Sequence, residues 1–329
     1  APDGYVTDQE PQEFTFEYQG SGTSVAEYAF TFEDEQTTVE LSKADLTDKK
    51  ELPGASLKVT DEDGNTVDEW VSKEEAHIIK GLIVGKKYKM TETKPADGYV
   101  TAESIEFTAE NTKEVQKHQM LDDVTKVEIS KKDITDSSEV PGAKLIILDK
   151  DGKKVESWTS TDKPHMVEKL PVGEYTLREE QAPDGYLIAE DVKFTVKDTG
   201  KVQKVKMKDA HPYGKLVIKK TDSTSKAALS GAEFELREKE SGKVVEKLVT
   251  DKTGTATSGK LPIATYKNGK VEKTVEYILV ETKAPNGYEL SSKKEEIRFE
   301  YKDGKTKVIE IVKEIKNTKS PSGSTPTGN

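Results

Sequence analysis

Glu179-Glu180-Gln181-Ala182-Pro183-Asp184-Gly185-Tyr186 decides the fold, because this stretch occurs more than once. Variants run from Glu92 to Tyr99 (ETKPADGY) and from Glu281 to Tyr288 (ETKAPNGY), and Ala1-Pro2-Asp3-Gly4-Tyr5 repeats its second half. A second string precedes each full copy: Leu41-Ser42-Lys43-Ala44-Asp45, Ile129-Ser130-Lys131-Lys132-Asp133 and Ile218-Lys219-Lys220-Thr221-Asp222. Between the two strings lie Pro53-Gly54-Ala55, Pro141-Gly142-Ala143 and Ser230-Gly231-Ala232. The three lysines are 88 and 89 residues apart. Self-similarity at a fixed period marks tandem modules, each one structural unit.

Three complete modules are expected at 37–123, 124–212 and 213–318, with 319–329 a flexible Ser/Thr/Pro/Gly spacer. Shifted by 283 residues, positions 1–34 lie on the third module without a gap: Tyr5 falls on Tyr288, Phe16 on Phe299 and Asp34 on Asn317. Residues 1–36 therefore read as the closing strands of a module whose front half is absent, with Asp34 an acceptor lacking its partners.

Within each module Val, Ile, Thr and Tyr alternate with charge, and Asp63-Gly64, Asp151-Gly152 and Asn268-Gly269 supply turns. Several short strands per module give an all-β class, an Ig-like antiparallel sandwich repeated in an extended array. The extra length of the third module falls around Lys267-Asn268-Gly269-Lys270 and reads as an added hairpin.

The 329 residues carry 51 Lys+Arg against 62 Asp+Glu, a net charge of −11, and 33% hydrophobic residues. That balance argues against nucleic acid or an anionic membrane as partner, and no apolar run is long enough to insert in a bilayer. Absence of Cys removes disulfides, thiolate metal sites and cysteine nucleophiles. Asp61-Glu62-Asp63-Gly64-Asn65 lacks the sixth-position Gly of a calcium loop and reads as a hairpin turn, so neither metal nor cofactor is expected. His77 with His165, and Trp70 with Trp158, occupy equivalent positions in two modules and read as packing residues.

Strand alternation sets a sharper problem. The core-facing phase of each first strand runs Val39, Leu41, Lys43; Val127, Ile129, Lys131; and Leu216, Ile218, Lys220. The strand before the Gly-Tyr turn ends its apolar phase in Glu92, Glu179 or Glu281, and the last strand in Asp122, Asp209 or Asn317. Single buried charges are expensive, and burial drives a Lys and a carboxyl toward their neutral forms. A neutral amine is a nucleophile, a carboxyl or carboxamide carbon its electrophile, and a third carboxyl a proton shuttle. The bland alternatives are a buried salt-bridge triad and strand ends that reach solvent.

The ordered signature of a first-strand Lys, E-x-x-A-P-x-G-Y, and a closing Asp or Asn resembles the B-type repeats of Gram-positive collagen adhesins, also called SpaA-like pilin domains. The resemblance implies a prealbumin-like, inverse-Ig sandwich with adjacent first and last strands, and an autocatalytic isopeptide bond assisted by the Glu. Carried over, it pairs Lys43 with Asp122 and Glu92, Lys131 with Asp209 and Glu179, and Lys220 with Asn317 and Glu281. Module one departs from the pattern with Lys94-Pro95-Ala96, and Asp123 stands beside Asp122 as a competitor.

The function expected is a structural stalk of an extracellular Gram-positive adhesin or pilin, anchored to the cell wall and not an enzyme beyond the single-turnover bond. Its expected partners are upstream modules of the same protein and a host ligand held by a domain absent here. Two other readings stay open: a host-matrix-binding module, for which the added hairpin is the candidate surface, and an accessory segment of a secreted carbohydrate-active enzyme.

Overall fold

A computed structural model describes residues 1–7, 11–22 and 27–321. Most of the expected 319–329 spacer lies outside the described residues. The backbone gathers into two compact units: Ala1–Val127 with Met166–Gly173 and Thr195–Gln203, and Glu128–His165 with Glu174–Phe194 and the chain from Lys204.

Every regular element among the described residues is a strand. The first module has β1 (Thr38–Asp45), β2 (Ser56–Thr60), β3 (Thr66–Val71), β4 (His77–Lys80), β5 (Lys87–Lys94), β6 (Ile105–Thr108) and β7 (Gln116–Asp122). The second has β8 (Lys126–Asp133), β9 (Lys144–Leu148), β10 (Lys154–Thr159), β11 (His165–Glu168), β12 (Gly173–Gln181), β13 (Val192–Val196) and β14 (Val202–Asp209). The third begins with β15 (Tyr213–Asp222), β16 (Glu233–Glu238), β17 (Val244–Val249), β18 (Thr255–Thr257) and β19 (Leu261–Pro262). It continues with β20 (Ala264–Lys267), β21 (Lys270–Thr274), β22 (Glu276–Lys283), β23 (Lys294–Arg298) and β24 (Val308–Asn317).

In module one, β4-β1-β7 forms one sheet and β3-β2-β5-β6 the other. Their inner faces enclose Val39, Leu41, Leu57, Val59, Tyr88, Met90, Phe107 and Met120. Strand alternation explains the selection, since these are the apolar phases of β1, β2, β5, β6 and β7. Modules two and three repeat the order, with β8 between β11 and β14, and β15 beside β24.

In each of modules one and three, the antiparallel expectation holds for all but one of the described strand pairs. β1 runs parallel to β7, and β15 to β24. A hairpin cannot join parallel strands, but these two stand at the opposite ends of a module and are linked by everything between them.

The turn ending in Gly-Tyr is formed four times. The backbone N–H groups of Tyr5, Tyr99, Tyr186 and Tyr288 donate to the carbonyls of Pro2, Ala96, Pro183 and Pro285 at 3.0–3.1 Å. Gly98 adopts φ +84°, and a Cβ there would stand 2.4 Å from the Lys169 carbonyl oxygen. The Tyr5 turn makes a bridge to Gln36, as Tyr99 does to Val124. Beyond that bridge, the described residues before Thr38 form no strand. Phe16, Phe30 and Phe32 are exposed, and Phe14 meets Phe16 and Phe30 at ring centroids 5.2 and 4.7 Å apart. A two-stranded ribbon without an opposing sheet buries too little to be stable alone.

The extra residues of module three form the β20–β21 hairpin. Tyr266 on β20 donates its hydroxyl to the Gly185 carbonyl at 2.8 Å and stacks on His211 at 3.5 Å. The hairpin thus seats its aromatic residue on the Gly-Tyr turn of module two.

Candidate functional site

Lys43, Lys131 and Lys220 are among the largest fully enclosed side chains, each no more than 2% exposed. Asp122, Asp209, Asn317 and the three glutamates are buried with them. Strand phase puts them there. Lys43 stands in register with Met120, and Asp122 two residues further along β7, so amine and carboxyl meet diagonally on one face. Module three repeats the offset, with Lys220 in register with Ile315 and Asn317 two residues on.

The glutamate arrives from the opposite sheet. Glu92, Glu179 and Glu281 stand in register with Leu57, Leu145 and Phe234, and beside each the ladder slips by one residue. Such bulges re-aim side chains. Each glutamate is then anchored by a backbone N–H ten residues on: Ala102 to Glu92 Oε2 at 2.7 Å, Ala189 to Glu179 Oε2 at 2.7 Å, and Ser291 to Glu281 Oε2 at 2.9 Å.

The three groups converge in every module. Lys43 Nζ donates to Asp122 Oδ1 and lies 3.1 Å from Glu92 Oε1. Lys131 Nζ donates to Asp209 Oδ1 and lies 3.0 Å from Glu179 Oε2. Lys220 Nζ donates to Asn317 Oδ1 and lies 2.9 Å from Glu281 Oε1. Asn317 Nδ2 in turn donates to both oxygens of Glu281 at 3.1 Å and to the Glu289 carbonyl at 2.9 Å.

Burial favours the neutral form at Lys43, Lys220 and Asp209. Burial lowers the pKa of Lys43 against the pull of Glu92, and lowers that of Lys220 against Glu281. Burial raises Asp209 to about 7; Lys131 opposes the rise, and the charge and hydrogen bond of Glu179 add to it. Asp209 Oδ2 and Glu179 Oε1 are both buried without a hydrogen-bond donor among the described residues. A proton held between these two carboxyls satisfies both.

The inverted Pro95-Ala96 order of module one does not displace Glu92, whose anchor and distance to Lys43 match those of module two. Asp123 is engaged elsewhere, accepting two 2.9 Å bonds from Lys126. Asp34 is exposed, and no lysine stands beside it among the described contacts. Trp70 stacks on His77 and Trp158 on His165, with centroids 4.2 and 4.4 Å apart. Asp61 accepts from the N–H groups of Asp63 and Asn65 at 3.0 and 2.8 Å, an Asx-type hairpin turn.

One repeated element escaped the sequence reading. The Asp two residues after each lysine accepts the hydroxyl of the Gly-Tyr tyrosine: Tyr99 to Asp45 at 2.7 Å, Tyr186 to Asp133 at 2.8 Å and Tyr288 to Asp222 at 2.9 Å. The spacing was visible in all three repeats. Only the folded chain, however, shows that the turn returns to the lysine strand.

Two-sheet modules in tandem, each enclosing a Lys, a Glu and an Asp or Asn, define a chain of prealbumin-like β-sandwiches. The SpaA prealbumin-like fold domain family matches residues 37–123, 125–211 and 214–315, and the chain belongs to that family. No curated protein sequence matches the chain. Among solved structures it is similar to the TIE protein of Bacillus anthracis, at 27% identity and a TM-score of 0.57 over 87% of this chain. It spans about half of that protein, 51% of its length. BcpA, the major pilin subunit of Bacillus cereus, shares the fold at 18% identity and a TM-score of 0.50, covering 86% of this chain and 99% of BcpA.

Proposed function

We propose that the chain is stalk material of a Gram-positive cell-surface adhesin or pilin, and that each module staples itself with an isopeptide bond. The observation that carries this reading is the same buried lysine, set on an Asp or Asn oxygen and within 3.1 Å of a glutamate, built three times. In modules one and two, the neutral Lys amine attacks Cγ of the protonated Asp and the glutamate carries protons between them. An amide N–C bond forms, the C–OH bond breaks, and water leaves. In module three, Lys220 attacks Cγ of Asn317 and ammonia leaves. Asn317 Nδ2 already donates to Glu281, the group that returns a proton to the departing nitrogen. The products erase the charges that made the sites costly to bury. Each reaction turns over once and consumes no external reactant.

The bond sits where load would pass. Tension entering β1 crosses from Lys43 to Asp122 and leaves along the chain, so residues 44–121 fall outside the load path. Closing a loop of 78 residues between Lys131 and Asp209 stabilises that module by about 4.5 kcal/mol, taking the loop-entropy relation for a disulfide. The kinetic effect is larger, because forced unfolding is governed by an opening step that the bond removes. Single-molecule pulling tests this role. Wild-type modules should release no contour length below the force that breaks covalent bonds, and a Lys131→Ala module should unfold in one step. Release of all three wild-type modules at ordinary unfolding forces would remove the stalk reading.

A further inference from the structure

We propose that the tyrosine–aspartate pairs Tyr99–Asp45, Tyr186–Asp133 and Tyr288–Asp222 are positioning residues for the cross-linking reaction, a role that rests on the reaction proposed above. The lysine and its acceptor share one sheet, whereas the glutamate reaches them from the other. The segment that follows the glutamate returns to the same sheet, from β5 to β6, β12 to β13 and β22 to β23. In every module, however, it is tied on the way to the lysine strand, to the end of the acceptor strand and to the glutamate.

At its middle, the tyrosine hydroxyl bonds to the Asp that follows the lysine by two residues. The next residue ties the segment to the acceptor strand. The N–H groups of Val100, Leu187 and Glu289 donate to the carbonyls of Asp123, Ala210 and Thr318, each the residue after the acceptor, at 2.9–3.0 Å. Three residues past the tyrosine, the N–H of Ala102, Ala189 or Ser291 holds the glutamate Oε2. The hydroxyl therefore fixes, through this short segment, where the glutamate lies relative to the amine.

The pair also withdraws a competing carboxyl. Asp45 lies on the same strand face as Lys43 and stands in register with Asp122. Its Oδ1 accepts the N–H of Thr47 and its Oδ2 the Tyr99 hydroxyl, both at 2.7 Å. Burial pushes its pKa up, but Tyr99 and the N–H groups of Thr47 and Asp48 outweigh burial and hold it at about 2. Asp133 and Asp222 are likewise held at about 2. An ionised carboxylate is a poor electrophile, so Asp45, Asp133 and Asp222 do not compete with the acceptor for the amine.

The test compares the full-length chain with Tyr99→Phe, Tyr186→Phe and Tyr288→Phe, one substitution at a time. Each protein is made by cell-free synthesis and quenched in denaturant at intervals, and the mass of each module's linked peptide is read. Circular dichroism and a thermal melt of the same samples report folding. The module carrying Phe should remain folded yet close its bond about tenfold or more slowly, as catalytic groups displaced by a fraction of an ångström do. The two untouched modules should keep wild-type half-times and serve as internal clocks. An unchanged half-time overturns the proposal. So does a Phe module that no longer folds, because the hydroxyl would then hold the fold rather than the glutamate. If no wild-type module loses mass, the cross-linking reading itself fails, and that result is distinct from both.

Discussion

Lys43 and Asp122 are diagonal neighbours on parallel strands, while Asp45 stands directly opposite Asp122. Two aspartates therefore stand side by side on the lysine's face of the sheet, and they are distinguished by what each carboxyl binds. Asp45 is occupied by Tyr99, and Asp122 by the lysine. The account predicts that exchanging these roles fails: Asp122→Ala leaves module one unlinked and does not divert the bond to Asp45. Peptide mapping of the variant checks this, and a Lys43–Asp45 adduct would refute the division of labour.

Glu281 touches both the Lys220 amine and the Asn317 amide nitrogen. Glu281→Ala should abolish the bond of module three and leave the other two in place. The intact-mass deficit would then drop by about 17 Da, the mass of one ammonia. Full linkage without Glu281 would show that burial alone drives the chemistry.

The two kinds of acceptor should differ in pH dependence. Asp209 titrates near 7 because burial and Glu179 disfavour its charge. The raised value means that its electrophilic, protonated form is present below about 7 and is lost as pH rises through it. Module two should therefore cross-link more slowly as pH climbs from 6 to 9. Module three, whose electrophile is an amide with no proton to lose, should not slow over that range. Half-times from freshly synthesised chain at each pH provide the comparison, and parallel profiles would count against the assignment.

Acid stability isolates the tyrosine-bound aspartates. Their folded pKa of about 2 lies below the ordinary carboxylate value. Depressed values contribute stability that is present above the unfolded pKa near 4 and is lost as pH falls toward 2. Replacing Asp45, Asp133 and Asp222 by Asn should lower the melting temperature at pH 7 and flatten its fall between pH 4 and 2. Identical acid limbs in the two proteins would contradict the assignment.

The repeat, the β class and the inward-facing Lys, Glu and Asp or Asn of each module were all legible in the sequence. Period-two alternation places Lys43, Glu92 and Asp122 on inward faces without any contact being known. What alternation cannot convey is the neighbouring strand. The diagonal Lys43–Asp122 meeting depends on a parallel register between strands separated by a whole module, and the aim of Glu92 on a bulge beside Leu57. Tyr186 was legible as part of a turn, but its partner Asp133 lies 53 residues away. The seat of Tyr266 on Gly185 was hidden for the same reason, since no local pattern in β20 names a carbonyl in another module.

That seat bears on the alternative in which the hairpin is an adhesive surface. Tyr266→Ala should remove both the stack on His211 and the bond to Gly185, exposing the Lys267–Lys270 tip to trypsin while all three cross-links persist. Unchanged proteolysis would show that the hairpin is held by other contacts.

The most direct measurement is the intact mass of the denatured protein. Two Lys–Asp bonds and one Lys–Asn bond predict a mass about 53 Da below that of the sequence, two waters and one ammonia lost. A mass equal to that of the unmodified sequence would mean that the buried groups are ion pairs only, and the covalent account of the stalk would fall.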